Sequence, residues 1–157
     1  MPNKRRSRVA DGDVSPCPAV GGGTNSHELS IPVACDLDII AARQKGRELA
    51  QKMGFAPSDV TMIATAISEL ARNIILYAQR GEIGLREILQ SGTPGIVIVA
   101  RDEGPGIPDV RRALEDGYST SRSLGLGLPG VRRLMDWFDI VSEVDRGTVV
   151  TVKKWRR

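Results

Sequence analysis

Glu69 and Asn73 stand four residues apart in TAISELARNIILYA, a spacing that stacks two side chains one helical turn apart on one face. A carboxamide oxygen there can hold a hydrated divalent cation, and the neighbouring carboxylate can orient or deprotonate a nucleophile. Asp102 closes the apolar stretch GIVIVAR and is followed by Gly104 and Gly106 in DEGPGIPDV. An acid at a strand end can accept a hydrogen bond from an exocyclic amine, and the glycines let the backbone approach a flat ring. In SLGLGLPGVRR, Gly125 and Gly127 lead into a helix with Pro129 in its first turn. Backbone N–H groups at such a helix start are open to anions, and the helix dipole adds to the attraction. This glycine run has neither the Lys-Ser/Thr ending of a P-loop nor the preceding strand of a Rossmann fingerprint. Taken singly, each group also has a plain structural reading: a helix-surface pair, a tight turn, and a loop before a helix.

The flanking patterns say which elements must hold these groups. HELSIPVACD predicts a first strand, with Asp36 as an N-cap for the helix that follows. That helix carries a stripe of Ile39, Ile40, Leu49, Ala50 and Met53 and stops at Gly54. Ser58 is a second N-cap candidate, ahead of a clean helical period at Val60, Ile63, Ala64, Ile67, Leu70, Ala71, Ile74, Ile75 and Ala78. Glu69 and Asn73 sit off that stripe, on a helix that must be central. GEIGLREILQ and IVIVAR, joined through SGTPG, predict antiparallel neighbours. LPGVRRLMDWF reads as a helix, DIVSEV as a strand, DRG as a turn and TVVTVKKW as the last strand. The sum is an α/β two-layer sandwich, a mostly antiparallel mixed sheet with helices on one face.

The 157 residues suit one domain, with a hydrophobic fraction of 41% and no run of membrane-spanning length. Cys17, Cys35 and His27 have no metal-ligand spacing, which leaves a reducing cytoplasm as the simplest compartment. The net charge of +3 is carried by the ends: residues 1–27 hold +2 and residues 153–157 hold +4, which leaves the body at −3. A nucleic-acid protein places its basic stripe on the folded body, so these ends read as solvated tails. Residues 1–27, rich in Pro, Gly and Ser without hydrophobic period, read as a disordered basic extension; residues 28–157 form the domain.

In order and context the three groups resemble the ATP-binding boxes of the GHKL superfamily, which includes gyrase-type ATPases, chaperones and histidine kinases. The likeness covers nearly all of residues 28–155 and implies the Bergerat-type ATP-binding fold. It implies that Asn73 coordinates Mg2+, that Asp102 binds the adenine amine, that Gly104, Gly106 and Ile107 line the base, and that Gly125, Leu126 and Gly127 contact phosphates. Thr148, in RGTVV, matches a threonine near the adenine, although its type also suits any strand. Among small members, DIIAARQKGRELA, TAISELARNIILYA, DEGPGIPDV and EDGYSTSRSLGLGLPGVRRLMD are similar to RsbT-type switch kinases of the bacterial stressosome.

That resemblance implies a serine/threonine kinase using Mg-ATP, with Glu69 as the base. Its implied substrates are STAS-domain scaffold and antagonist proteins of the RsbR and RsbS kind. Its implied second partner, bound after release, is a PP2C-type phosphatase or other regulator; no membrane or nucleic-acid partner is expected. Residues 109–124 would form a lid with Gly117 as a hinge and Arg111, Arg112 and Arg122 facing phosphate, partner or solvent. The alternative is an anti-sigma factor that sequesters a sigma subunit, with kinase activity on an anti-anti-sigma protein. The basic extension departs from the family pattern, and an extended start, a solvated tail and a docking arm all remain open readings.

Overall fold

The apolar period between Val60 and Ala78 folds into one 22-residue helix, and everything else in the domain is arranged around it. The computed structural model describes residues 6–11, 27–115 and 127–157. In chain order the elements are β1 (Arg6–Asp11), β2 (Leu29–Val33), α1 (Asp36–Lys52), α2 (Pro57–Ala78), β3 (Gly81–Gln90), β4 (Thr93–Asp102), α3 (Val110–Ala113), α4 (Gly127–Leu134), β5 (Trp137–Glu143) and β6 (Gly147–Trp155). The six strands form one sheet in the order β1-β5-β6-β4-β3-β2. All five strand pairs are antiparallel, so the expected mixed character is absent among the described residues.

The hairpin between β3 and β4 turns on Ser91 and Gly92, both at positive φ (50° and 78°), with Gln90 paired to Thr93. Alternation then points Ile83 and Leu85 of β3 and Ile96, Ile98 and Ala100 of β4 into the core, where Ile63, Ile67, Leu70 and Ile74 of α2 meet them. Although α2 is long and apolar enough to cross a membrane, more than half of its apolar window is buried inside the fold. It is the core helix of the sandwich.

Several boundaries depart from expectation, each for a local reason. Cys35, not Asp36, precedes α1, and the Asp38 carboxylate reaches back to accept from the N–H groups of Ala34 (2.8 Å) and Cys35 (3.2 Å). Ser58 lies inside α2, because Pro57 begins the helix and Ala56 precedes it. On α1 the buried stripe is Ile39, Ala42, Gly46 and Ala50, whereas Ile40 is exposed. Small residues at every fourth position let α1 lie close against α2, which apolar size alone does not reveal. Gly54, at φ +81°, follows α1 as its stop.

The helix α4 ends at Leu134, so Trp137 and Phe138 belong to β5. There the Asp136 N–H donates to the Lys153 carbonyl (3.0 Å) and its carboxylate accepts from Trp155 N–H (2.9 Å), which draws the chain into the sheet.

The described residues of both basic ends are tied into the domain. Lys154 is buried, its Nζ donating to the Leu134 carbonyl (2.9 Å) with Asp59 and Asp136 close by. Arg156 donates to the Met53 carbonyl and Arg157 to Asp136. At the other end Arg6–Asp11, expected to be disordered, pairs with β5 from Arg6↔Glu143 to Asp11↔Phe138. Alternation in RSRVAD suits an edge strand with Val9 packed on the core. The remainder of the expected disordered extension, residues 1–5 and 12–26, lies outside the described residues.

Candidate functional site

A pocket of about 380 Å³ opens where α2, the carboxyl end of β4, the start of α4 and β6 converge. Its wall includes Asn73 of α2, Asp102 of β4, Gly106 and Ile107 of the following loop, Gly127 of α4 and Thr148 of β6. Residues separated by 75 positions in the chain thus share one cavity. Gly125 and Leu126, the other expected phosphate contacts, lie outside the described residues, as does the expected lid beyond position 115, with Gly117 and Arg122. The start of that segment forms the short helix α3, capped by the Asp109 carboxylate on Arg112 N–H (3.1 Å).

Asp102 is half-buried, and burial raises its carboxyl above the usual carboxylate range, opposed by two backbone hydrogen bonds. Gly104 N–H (2.9 Å) and Thr148 N–H (3.3 Å) both donate to Oδ1. Among the described residues Oδ2 has no partner, so it is the acceptor left for a ligand amine. Gly104 serves differently from expectation: it is not on the pocket wall, and a Cβ there would come within 2.6 Å of the Ala78 Cβ. Its absent side chain allows the turn to press on α2 while its N–H orients Asp102.

Gly106 does line the pocket, but its φ of +74° and the Glu143 carbonyl behind it are what demand glycine. Gly106→Ala is expected to lower stability by about 1–3 kcal/mol and to displace the Ile107 wall, measured by chemical denaturation and ligand titration.

Ile107 is held by a residue the motifs did not single out. Its N–H donates to Ser142 Oγ (2.7 Å), and the same hydroxyl lies 2.8 Å from Thr148 Oγ1. Ser142 is fully buried, and it was findable: it continues the inward alternation of Phe138 and Ile140 with a polar side chain. A polar residue at an inward strand position must have a partner. Ser142→Ala leaves the Ile107 N–H and the Thr148 hydroxyl short of one. The expected cost is about 1–3 kcal/mol, with weakened ligand binding, read by thermal melts and titration calorimetry.

Glu69 and Asn73 are placed apart by burial rather than by spacing. Asn73 is partly exposed on the pocket wall, but Glu69 is only 3% exposed, because α4 covers it. Its Oε1 accepts from Arg72 Nη1 (3.0 Å) and its Oε2 from Gly127 N–H (3.3 Å). The carboxylate therefore touches the helix start that forms one end of the pocket, a link invisible in the sequence. On its other side Glu69 borders a second cavity of about 460 Å³ between α1 and α2, with Arg43, Arg47 and Arg72 among its walls.

The arrangement combines a mainly apolar slot with an acceptor carboxylate, Asp102, a carboxamide, Asn73, and a helix start, Gly127, on its walls. Such a site suits a planar base carrying an anionic chain.

Comparison with known proteins agrees with this chemistry. Residues 32–154 match the histidine kinase-like ATPase domain. The serine/threonine-protein kinase RsbT of Bacillus subtilis is 51% identical over 127 residues, covering 81% of this chain and 96% of that protein. An anti-sigma F factor of Geobacillus stearothermophilus is 32% identical over 103 residues, 61% of this chain and 69% of that one. The RsbU and RsbW domains of Rv1364c from Mycobacterium tuberculosis share the fold, with a TM-score of 0.56 at 20% identity over 84% of this chain and 33% of theirs. The chain belongs to the histidine kinase-like ATPase domain family.

Proposed function

We propose that this chain is a serine/threonine protein kinase that transfers the γ-phosphoryl group of Mg-ATP to a hydroxyl on STAS-domain scaffold and antagonist proteins. The observation that carries the reading is the pocket itself, which gathers Asp102, whose Oδ2 has no partner among the described residues, with Asn73, Gly127 and Thr148 on its wall, while Glu69 touches it through the Gly127 N–H. Its likeness to the serine/threonine-protein kinase RsbT supports the reaction class, and the STAS-domain acceptors are the partners that the motif resemblance implies. After transfer, the released kinase binds a downstream regulator such as a PP2C-type phosphatase, as one component of cytoplasmic stress signalling.

In this reading Asp102 Oδ2 accepts the adenine amine while Ile107 and Thr148 hold the ring. The Gly127 N–H lies at the amino end of α4, where phosphate oxygens gain from the helix dipole. Asn73 offers one neutral oxygen on the pocket wall, which suits Mg2+, an ion that keeps several waters and takes its other ligands from phosphates. Bound there, the metal would neutralise phosphate charge.

The acceptor oxygen attacks the γ-phosphorus, the bond to the β,γ-bridging oxygen breaks, the hydroxyl proton passes to Glu69, and ADP leaves. The second cavity, with Glu69 on its wall between α1 and α2, borders that residue from the side away from the nucleotide pocket. Positioning, more than basicity, is the demand of such a loose transition state.

The test is transfer of labelled γ-phosphate to a cognate STAS-domain protein. Acid-stable label on the acceptor is the expected result. ATP binding without transfer, together with co-purification of a sigma subunit, would favour the second reading, an anti-sigma factor, to which the Geobacillus relative points.

A further inference from the structure

β1 lies outside the stretch that matches the family, which begins at residue 32, yet it touches α3 and α4, two of the helices beside the pocket. The Asp11 carboxylate takes both Nε and Nη2 of Arg132, in the last turn of α4, as a bidentate pair. Arg132 is less than two turns from Gly127, which lines the pocket and donates its N–H to Glu69. β1 also packs on α3, whose Ala113 lines the same pocket. The strand is anchored independently of the ion pair. It runs antiparallel along β5 for six residues, Arg8 Nε donates to Asp139 (2.9 Å), and Val9 packs against the core.

We propose that β1 is a positioning element of the nucleotide site, and that Asp11, through Arg132, holds the amino end of α4 in the phosphate-binding arrangement. The inference rests on the reading of this pocket as an ATP site.

The physical argument is one of populations. α4 has eight residues, too short to be stable by itself, and depends on its neighbours for its position. Glu69 secures its amino end from the α2 side, and Asp11 secures its last turn from the sheet edge. A partly exposed ion pair contributes little to global stability, but a bidentate pair has a defined direction. Loosening it lets α4 sample positions that do not bind phosphate, and the apparent affinity falls by the fraction still competent. Saturating ATP repopulates the competent arrangement, so the loss falls on affinity and spares turnover.

The experiment uses the full chain, wild type against Asp11→Asn and against the charge swap Asp11→Arg with Arg132→Asp. ATP affinity is read by calorimetry, KM and kcat by label transfer, and α4 by amide hydrogen exchange. Asp11→Asn is expected to raise Kd and KM for ATP about fivefold, about 1 kcal/mol, with kcat at saturating ATP and KM for the acceptor held. Exchange in α4 should quicken without nucleotide and return to the wild-type rate with ATP. The swap should recover most of the affinity. Unchanged ATP affinity in Asp11→Asn, with wild type binding normally, overturns the proposal alone. A fall of kcat and melting temperature together with a raised acceptor KM also overturns it, as loss of general stability. Wild type that binds no ATP overturns the ATP reading and the proposal with it.

Discussion

Glu69→Gln is expected to reduce label transfer to the acceptor by roughly 10²–10⁴-fold, the range over which a positioned acid or base acts, while ATP affinity stays within a few-fold of wild type. The substitution keeps the side chain's length and one acceptor oxygen, so the link to Gly127 N–H can persist. What it removes is the negative charge beside Arg72 and the site that receives the hydroxyl proton. Parallel measurement of ATP binding separates two roles. Loss of transfer with retained binding marks Glu69 as the group that handles the acceptor hydroxyl. Loss of both would make its main role the support of α4, since a buried carboxylate contacting that helix also has a structural claim.

Asp102→Asn is expected to weaken ATP binding by roughly a hundredfold. A hydrogen bond to a charged acceptor contributes about 1.5–3 kcal/mol, and an amide at this position can also present a donor to a donor. The fold should be retained, because the Asn side-chain oxygen can still accept from Gly104 and Thr148, as seen by circular dichroism. Stability should move the other way. Burial is the dominant influence on Asp102 and raises its native carboxyl above the unfolded value, so the native state holds that proton to higher pH. Its contribution to stability is full below the unfolded value and is lost as pH rises through the native value. At neutral pH the wild-type protein therefore carries a desolvation cost that Asn lacks. Nucleotide-free Asp102→Asn should melt at or above the wild-type temperature at pH 7, and the difference should shrink toward pH 4. A variant that melts well below wild type at pH 7 would show that the charge itself holds the loop.

How legible these features were in the sequence depends on how far apart the interacting residues lie. The central helix, the β3–β4 hairpin and the last two strands follow from periodicity and turn residues, because each is specified within a few positions. The acid at the end of β4 and the glycines after it were readable for the same reason. The roles of those glycines were not: Gly104 presses on Ala78 and Gly106 on Glu143, contacts made only after the sheet and α2 have packed. The small-residue stripe of α1 was hidden in the same way, since Ala42 and Gly46 are informative only against a facing helix.

The sequence by itself determined an α/β sandwich with a mostly antiparallel sheet, and its resemblance to the GHKL superfamily pointed to Asn73, Asp102, Gly106, Ile107, Gly127 and Thr148, which line one pocket. Local patterns suffice for the sandwich because strand and helix periods are short-range properties of the chain, whereas the site residues followed from the likeness of their motifs. Only the tertiary structure decided that Glu69 is buried against the start of α4, that Ser142 holds Ile107 from 35 positions away, and that β1 reaches across to Asp139, 131 positions from Arg8. Those contacts arise from sheet order and helix packing, which bring together groups whose separation in the chain carries no sign of their meeting.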